Sequence, residues 1–210
     1  MPDEIRIIVL NYKRPYNVQK IIETYYGLFP ITVINNNPEK EFKTDYSIDV
    51  INNTQNKKCM ERWIRCRDFD EPFKFILDDD LIVHPKDILR MRRARQHMIG
   101  IYGKSGVKTA KSYLDLIDHW CEEYECDFLV GSGILIKQES LDKIYPYLKT
   151  YGYPERGDDI IVSYLMKKYI GSWMRTIKAN VLCLPEGNVG LNKDPSHFTK
   201  RWEVLQECLN

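Results

Sequence analysis

The sequence predicts an α/β fold in which a largely parallel sheet carries helices on both faces. Apolar runs of strand length alternate with segments whose apolar residues recur at helical spacing. Polar residues follow each predicted strand, and alternation of this kind is typical of parallel sheets joined by helices. The 210 residues suit one domain over residues 1–210, and the sequence leaves open whether further domains follow.

The N-terminal half supplies the alternating elements. Short apolar runs, each ended by asparagine, predict strands over 5–10, 31–34 and 48–51. Pro15 precedes apolar residues at helical spacing, and proline is favoured in the first turn of a helix. A second helix is predicted to turn Met60, Trp63 and Ile64 inward. Because parallel strands end at a shared edge, the asparagine-rich strand ends should gather there.

An acidic triplet, Asp78-Asp79-Asp80, lies between two apolar runs at 75–77 and 81–83. A buried strand cannot hold three charges unless something compensates them. We therefore expect the carboxylates at the C-terminal end of a strand, facing the crevice where ligands bind in open α/β sheets. Adjacent carboxylates repel each other and favour a divalent cation, and Mg²⁺ and Mn²⁺ prefer oxygen ligands. A solvated acidic turn is the alternative, which the apolar flanks disfavour.

The segment after the triplet has weaker patterns. A helix begins at Pro85, and we interpret its arginines as a solvated face rather than a grip on phosphate or nucleic acid: Arg90, Arg92, Arg93 and Arg95. A flexible loop is predicted over 100–111. A helix is predicted over 113–124, with a pair of strands before Tyr113 as the alternative.

Residues 127–136 predict a strand that glycines interrupt. Gly131 and Gly133 flank Ser132, and glycine within a strand indicates a bulge, the close approach of a ligand, or a packing kink. Asp158 and Asp159 open a predicted helix, where the helix dipole stabilises acidic residues. Two short strands and, after a loop, a final helix complete the prediction: 172–175, 181–184 and 198–209.

The composition disfavours several classes of protein. The formal net charge is +1, which favours no particular partner, and we expect no nucleic-acid binding. No apolar run reaches membrane-spanning length and the first residues do not resemble a signal peptide, so a cytoplasmic protein without a membrane span is expected. The six cysteines include no C-x-x-C pair, so we expect reduced thiols and no zinc site. Neither a dinucleotide fingerprint nor a P-loop is present.

The acidic clusters and the basic tail together suggest one chemistry. The triplet would hold a metal ion, and the metal would hold a diphosphate. Asparagine and aspartate at neighbouring strand ends can hydrogen-bond a base and a ribose. Asp158 and Asp159 would face the reacting sugar carbon, and three tail residues could neutralise a leaving diphosphate: Lys193, His197 and Arg201. These roles describe transfer of a group from a nucleotide-diphosphate donor.

In this combination the motifs resemble those of the GT-A glycosyltransferases, whose D-x-D signature matches Asp78-Asp79-Asp80. Their order is most similar to the exostosin-like enzymes, because residues 129–133, then Asp158-Asp159-Ile160, then a His/Arg-bearing tail follow the triplet. The chain also resembles the N-terminal glycosyltransferase domain of a chlorella-virus protein that glycosylates the major capsid protein. The resemblance covers nearly the whole chain. It implies a GT-A fold with a mostly parallel mixed sheet flanked by helices.

The same resemblance implies a donor, a metal and an acceptor. It implies Mn²⁺ or Mg²⁺, a UDP-sugar donor, a glycan acceptor and retention of configuration. Asp80 would be the main metal ligand, Asp78 would hold the ribose and share the metal, and Asp79 would lie near the metal or the donor sugar. His197 would ligate the metal or touch the diphosphate. Asp159, or its neighbour Asp158, would be the carboxylate at the anomeric centre.

The resemblance further implies a lining for the donor pocket. The uridine would be lined by residues of the strand ends and the loops after them: Asn11, Tyr12, Arg14, Asn36 and Asn53. Either of two lysines would lie near its base or phosphate: Lys57 or Lys58. The glycine-rich turn would border the sugar: Gly131, Ser132 and Gly133. Lys193 and Arg201 would complete the donor site.

Other functions remain open. A haloacid-dehalogenase-type phosphatase also places D-x-D after an apolar strand, and Gly157-Asp158-Asp159 fits its later motif. Its nucleophile usually follows the first strand, however, whereas several elements precede Asp78 here. Nucleotidyl transfer needs the same metal and nucleotide pocket. The non-enzymatic alternative is a nucleotide-sugar-binding module without catalysis.

Overall fold

The computed structural model describes residues 4–185, 190 and 193–209. Over these residues the strands, in chain order, are β1 (Ile5–Asn11), β2 (Ile31–Asn35), β3 (Asp49–Asn52), β4 (Phe73–Asp78), β5 (Leu81–Val83), β6 (Met98–Gly100), β7 (Tyr102–Ser105), β8 (Ile117–Trp120), β9 (Tyr124–Cys126), β10 (Phe128–Leu129), β11 (Gly133–Lys137), β12 (Met174–Thr176) and β13 (Val181–Cys183). The helices are α1 (Pro15–Tyr25), α2 (Met60–Arg65), α3 (Pro85–Arg93), α4 (Gln138–Leu148), α5 (Asp158–Ile170) and α6 (His197–Leu209). In the described ranges, none of these helices has the length and apolarity needed to cross a membrane.

Eight strands form one mixed sheet, in the order β3-β2-β1-β4-β11-β6-β12-β9. The first four are parallel, and antiparallel β11 joins them to the second half. Two smaller sheets, β10-β7-β8 and β13-β5, lie beside it. The predicted fold class, an α/β fold with a mostly parallel mixed sheet flanked by helices, is therefore confirmed.

The strand register brings the polar ends of the parallel strands to one edge. Asn11 stands opposite Asn35, and Asn35 stands opposite Asn52. At the end of β4, Asp78 stands opposite Leu10. The predicted gathering of these strand ends is confirmed, and this edge is the one at which open α/β sheets bind ligands.

Apolar side chains divide into two cores, one on each face of the sheet. Val9 and Phe75 pack with α1 and α3 on one face. Ile8 and Ile76 pack with α2, α4, α5 and α6 on the other. This division follows from the two-residue period of a strand, which turns successive side chains to opposite faces. The helices of the second core include those that carry the candidate site.

Two predictions for the segment after α3 are wrong. Residues 100–111 include β7 rather than forming only a flexible loop, and 113–124 form one 3₁₀ turn followed by β8 rather than a helix. Strands β6 and β7 do precede Tyr113, as the alternative prediction expected. Ser112 and Asp115 form a capping box that begins the turn, but Leu116 is already extended and ends it.

A buried histidine helps to explain why β8 is a strand. The Nε2 atom of His119 lies 2.7 Å from the Ser105 hydroxyl, and Nδ1 lies 2.6 Å from Glu122. The ring also stacks on Tyr124 at 3.7 Å between centroids. These contacts reach β7 and β9, so tertiary packing outweighs the local helical pattern.

The acidic triplet lies between the central sheet and the β13-β5 pair. β4 ends at Asp78, and β5 begins at Leu81 and pairs with β13. The carbonyl of Asp80 accepts a hydrogen bond from the amide of Leu184 at 2.6 Å. The C-terminal part of the chain therefore helps to fix the backbone of the triplet at the sheet edge.

Candidate functional site

Asp79, the middle acid of the triplet, faces the loop between β1 and α1. Its carboxylate accepts the amide of Tyr12 at 2.9 Å and the Nη1 of Arg14 at 2.6 Å. Burial raises the pKa of Asp79 to about 6, although both of these partners oppose the rise. Asp79 thus fixes the loop that carries two residues of the predicted uridine pocket.

Asp80 shares Arg14 with Asp79. The Nη1 of Arg14 lies 2.9 Å from Asp80 Oδ2, and the Asp80 side chain is 26% exposed. Arg14 is the residue before α1, and its amide donates to the side chain of Asn11 at 3.2 Å. The arginine therefore holds two carboxylates together at the sheet edge, which lowers their mutual repulsion.

Arg62 of α2 joins the two acidic clusters. Its Nη1 donates to Asp78, and also to the carbonyl of Gly131 at 3.1 Å. Its Nε and Nη2 donate to Asp158 Oδ2 at 3.2 and 3.0 Å. Trp63 Nε1 donates to the same oxygen at 2.7 Å. A single buried guanidinium therefore sets the position of Asp158 relative to Asp78.

Burial also acts on Asp78. It raises the pKa of Asp78 to about 6, with Asp80 adding to the rise and Arg62 opposing it. The side chain is nevertheless 36% exposed, so one side of the carboxylate faces the crevice. Two properties expected of a ligand-binding acid, solvent access and a perturbed pKa, coincide at this residue.

Gly131 makes room for Arg62. A Cβ atom on Gly131 would stand 2.2 Å from the Nη2 of Arg62 and 3.1 Å from its Cζ. Of the interpretations open for this glycine, the structure favours close packing, because an arginine of the chain occupies the space. Gly133 likewise packs against Ile101, which a Cβ atom would meet at 3.1 Å. Between them, Ser132 is half-buried, and its amide donates to Val130 at 2.8 Å.

Asp159 is buried at the start of α5. Its Oδ2 accepts the amide of Gly131 at 2.8 Å and the Nη2 of Arg201 at 2.9 Å. Burial alone would raise the pKa of Asp159, but Arg201 and these hydrogen bonds hold it below the ordinary value. Gly157, just before α5, is left-handed at φ 82°, and a Cβ atom there would lie 2.8 Å from Val204. The start of α5 is therefore closely packed against α6.

Arg201 faces the protein interior rather than the crevice. Its Nε donates to the hydroxyl of Tyr113 at 2.8 Å, and its side chain is 8% exposed. The sequence suggested that Arg201 neutralises a diphosphate. The structure places its guanidinium on Asp159 and Tyr113, which suits positioning of the carboxylate.

His197 begins α6 and carries a buried nitrogen without a partner. Among the described residues, no group bonds its Nδ1 atom, and the same holds for the buried Nε of Arg156. Burial, together with Arg201 and Arg156, lowers the pKa of His197 to about 4. A neutral imidazole with an unshared nitrogen has the chemistry of a metal ligand or a hydrogen-bond partner for a ligand.

The asparagines at the sheet edge bond one another. Asn11 Nδ2 donates to Asn35 Oδ1 at 2.8 Å, and Asn35 Nδ2 donates to Asn52 Oδ1 at 2.8 Å. In a second pair, Asn53 Nδ2 donates to Asn36 Oδ1 at 2.8 Å. The asparagines predicted to line the uridine pocket, Asn11, Asn36 and Asn53, are therefore buried. Their side-chain amides bond other asparagines and hold the edge in shape.

The remaining predicted residues surround this edge. The carbonyl of Lys58, which is left-handed at φ 58°, accepts the amide of Asn36 at 2.8 Å. Lys57 Nζ lies 3.5 Å from the buried Glu61. Tyr12 is half-buried beside Asp79, whereas Lys193 is exposed and its amide bonds Gly190 at 3.1 Å.

Comparisons with known proteins give a fold and no family. No family model matches the sequence, and no curated protein is detectably similar in sequence. The glycosyltransferase GlyE of Streptococcus pneumoniae TIGR4 has a TM-score of 0.50 at 12% identity, over 99% of this chain and 52% of that chain. The bifunctional IspDF of Campylobacter jejuni has a TM-score of 0.50 at 14% identity, and the match covers 87% of this chain and 52% of that chain. TarS 1-349 of S. aureus has a TM-score of 0.47 at 13% identity, and the match covers 83% of this chain and 58% of that chain.

The fold is GT-A-like. Structural neighbours with this fold include glycosyltransferases and nucleotidyltransferases. The chain spans about half the length of GlyE and of IspDF. The closer resemblance to exostosin-like enzymes and to a chlorella-virus domain stays a prediction.

The side chains at this GT-A-like edge fit a cation that is shared with a ligand. The described part of the chain has no group of three or more His, Cys, Asp or Glu side chains arranged for a metal ion. Mg²⁺, however, is commonly held by one or two carboxylates, with phosphate oxygens and water completing the shell. Asp78 and Asp80 offer such a pair, and Asp80 acts on the pKa of Asp78. The unpartnered nitrogen of His197 has suitable chemistry but lies near Asp159 of the second acidic cluster. These residues would hold the metal only together with a diphosphate.

Three residues of the candidate site were missed from the sequence. Arg62 lies in the predicted inward-facing helix next to Trp63, and a charge at that place was a usable signal of a buried partner. Arg156 and Tyr113 carried no such signal, because their partners, Asp194 and Arg201, come from distant parts of the chain. Their roles depend on the docking of α6.

Proposed function

We propose that this chain is a metal-dependent glycosyltransferase domain that moves a sugar from a UDP-sugar donor to a glycan acceptor with retention of configuration. The observation that carries the proposal is the link between the acidic clusters. Arg62 bridges Asp78 and Asp158 at the edge of a GT-A-like sheet where ligands are expected. A donor diphosphate at Asp78 would thereby lie next to the second carboxylate pair.

The donor would be held from three sides. Asp80 and Asp78 would ligate Mn²⁺ or Mg²⁺, which when bound neutralises the charge developing on the leaving diphosphate. Tyr12 and Arg14 would line the uridine on the loop that Asp79 fixes, and the amide row would set the shape of that pocket. The imidazole of His197 would contact the metal or the diphosphate through its unpartnered nitrogen.

The carboxylate at the anomeric carbon would come from the Asp158-Asp159 pair. Asp159 suits a negatively charged role because Arg201 and the Gly131 amide hold its pKa below the ordinary value. Three N–H groups of Arg62 and Trp63 fix Asp158 Oδ2 in one orientation. Fixed carboxylates stabilise positive charge on the sugar without reorganising during the reaction. Retention follows from the resemblance to exostosin-like enzymes.

Nucleotidyl transfer is the second candidate, because neighbours with a GT-A-like fold include nucleotidyltransferases. It would use the same edge, but its product would be a nucleotide sugar and pyrophosphate. The phosphatase alternative fits less well, since the triplet follows the fourth strand of the chain and the sheet is GT-A-like.

The proposal is tested with a panel of nucleotide sugars and Mn²⁺, by measuring the released nucleotide and the thermal stabilisation of the protein. We expect release of UDP from one UDP-sugar, and greater thermal stabilisation by UDP than by ADP. Asp80→Asn should abolish both effects, whereas Asp142→Asn, an exposed acid of α4, should change neither. Binding without UDP release would favour the non-catalytic module. Pyrophosphate release from UTP and a sugar phosphate would favour nucleotidyl transfer.

A further inference from the structure

A basic cavity lies at the other end of β4 from the acidic triplet. It has a volume of about 470 Å³ and is lined by Phe73 and four cationic residues: Arg92, Arg93, Arg95 and Lys137. Phe73 begins β4, pairs with Lys137 of β11, and lies five residues before Asp78. At roughly 3.3 Å per residue, the cavity is about 17 Å from the triplet. It is thus separate from the donor site.

Arg93 and Arg95 are charges that the described part of the fold does not neutralise. Among the described residues, neither has an ion-pair or hydrogen-bond partner. The other two cations have acidic neighbours, because Arg92 pairs with Glu4 and Lys137 lies 3.8 Å from Glu139. Four cations around one concavity repel each other, and the net charge of the whole chain is only +1. An anionic ligand would offset that repulsion.

One further observation indicates a ligand. The Nε atom of Arg92 is buried and has no hydrogen-bond partner in the described residues, while its guanidinium lies 5.6 Å from the Phe73 ring centroid. Arg95 follows the C-cap of α3 and adopts a left-handed φ of 57°, as residues at this position often do, and its charge therefore lies just beyond the helix. A neighbouring cavity of about 330 Å³ shares Arg93 and adds Arg90 and Arg175, which pair with Asp87 and Glu123.

We propose that this cavity binds a small molecule with two or more phosphate groups, independently of divalent metal. Guanidinium groups suit phosphate because their planar donors can bond two oxygens at once. Several of them around a concavity match a compact, multiply charged anion better than a flat bilayer surface. Three of the arginines interpreted from the sequence as a solvated face thus form a second anion site with Lys137: Arg92, Arg93 and Arg95.

Inorganic pyrophosphate is the probe, titrated by calorimetry with EDTA present so that the metal-dependent donor site stays silent. The Arg93→Gln/Arg95→Gln variant removes two exposed charges that make no described contacts, so its fold should persist. We expect its affinity to fall on the order of tenfold or more. The Lys108→Gln/Lys111→Gln variant, which loses the same charge elsewhere on the surface, should bind like the unaltered protein.

Three outcomes would overturn the proposal. The first is absence of pyrophosphate binding by the unaltered protein, and the second is equal loss of affinity in both double variants. The third is binding to phosphatidylserine vesicles without binding to pyrophosphate, which would identify a membrane-contact surface instead. UDP binding with Mn²⁺, measured in the same variants, should stay unchanged, so failure here would be distinct from failure at the donor site.

Discussion

Replacing Gly131 with alanine tests whether Arg62 organises the site. The φ angle of Gly131 is not in the left-handed region, so the alanine backbone is tolerated there. The added Cβ would stand 2.2 Å from Arg62 Nη2, whereas ordinary contacts begin near 3.4 Å. The guanidinium must therefore move by the difference, 1.2 Å. Its flexible side chain permits the movement, but the movement stretches its hydrogen bonds.

The cost follows from those hydrogen bonds. Arg62 reaches Asp158 at 3.0 and 3.2 Å, so a displacement of this size takes at least one contact beyond hydrogen-bond distance. Losing a hydrogen bond to a charged group costs about 1.5–3 kcal/mol. We expect the free energy of unfolding of Gly131→Ala to fall by about that amount. Metal-dependent UDP binding should weaken as well, because the guanidinium that bonds Asp78 is displaced.

A double-mutant cycle of Gly131 and Arg62, measured by urea unfolding, tests whether the clash with Arg62 causes the loss of stability. Arg62→Ala should be destabilising by itself, and Gly131→Ala added to it should cost only about 0.5 kcal/mol or less, since the clash partner is gone. The pair should therefore be strongly non-additive. Additive losses would show that Gly131 acts through something other than Arg62, and the account of the bridge would be wrong.

Three other predictions concern the metal, the second acidic cluster and pH. Asp80→Ala should lose Mn²⁺-dependent UDP binding in thermal-shift assays while circular dichroism stays unchanged, and EDTA should have the same effect on the unaltered protein; undiminished binding would refute the ligand assignment. Asp159→Asn should abolish transfer yet leave UDP binding nearly unchanged, because the loss falls on the transition state; a product linkage opposite to that of the donor, seen by NMR of the anomeric proton, would refute retention. In EDTA, the contribution of His197 to the free energy of unfolding should decrease as pH falls from 6.5 to about 4, because His197 takes up a proton in the unfolded chain before it does in the folded one. The raised pKa values of Asp78 and Asp79 act in the opposite direction over this range, so the contribution is measured as the difference between the unaltered protein and His197→Gln; a difference that does not change with pH would contradict the burial of a neutral imidazole.

The sheet edge was predictable because it depends on local patterns. Apolar runs ended by asparagine or aspartate identify strands whose ends must meet, and the register of Asn11, Asn35 and Asn52 follows. The start of α5 was predictable for the same reason, since Asp158 and Asp159 stand where a helix favours acids.

The bridges across the site were not predictable in this way. Arg62 and Asp158 are 96 residues apart in the chain, and nothing in either segment identifies the other as its partner. The predicted helix over 113–124 failed for a related reason, because His119 is fixed by contacts with β7 and β9. The local sequence pattern therefore predicted which residues lie at the sheet edge, but not which charged residues from distant parts of the chain bind them there.

The side-chain amides of Asn11, Asn35 and Asn52 form a row at the sheet edge, and the hydrogen bonds along this row all point the same way. Asn11 donates to Asn35, Asn35 donates to Asn52, and Asn52 donates to the carbonyl of Phe42 at 3.2 Å. Each amide dipole polarises the next, so the bonds strengthen one another along the row. Rotating one amide would place like groups against each other, and the row cannot reverse as a whole because the backbone of Phe42 both accepts from and donates to Asn52. Since amides do not titrate, this orientation is independent of pH. A nucleobase bound at the edge would therefore meet the same arrangement of donors and acceptors at every pH at which the sheet is folded.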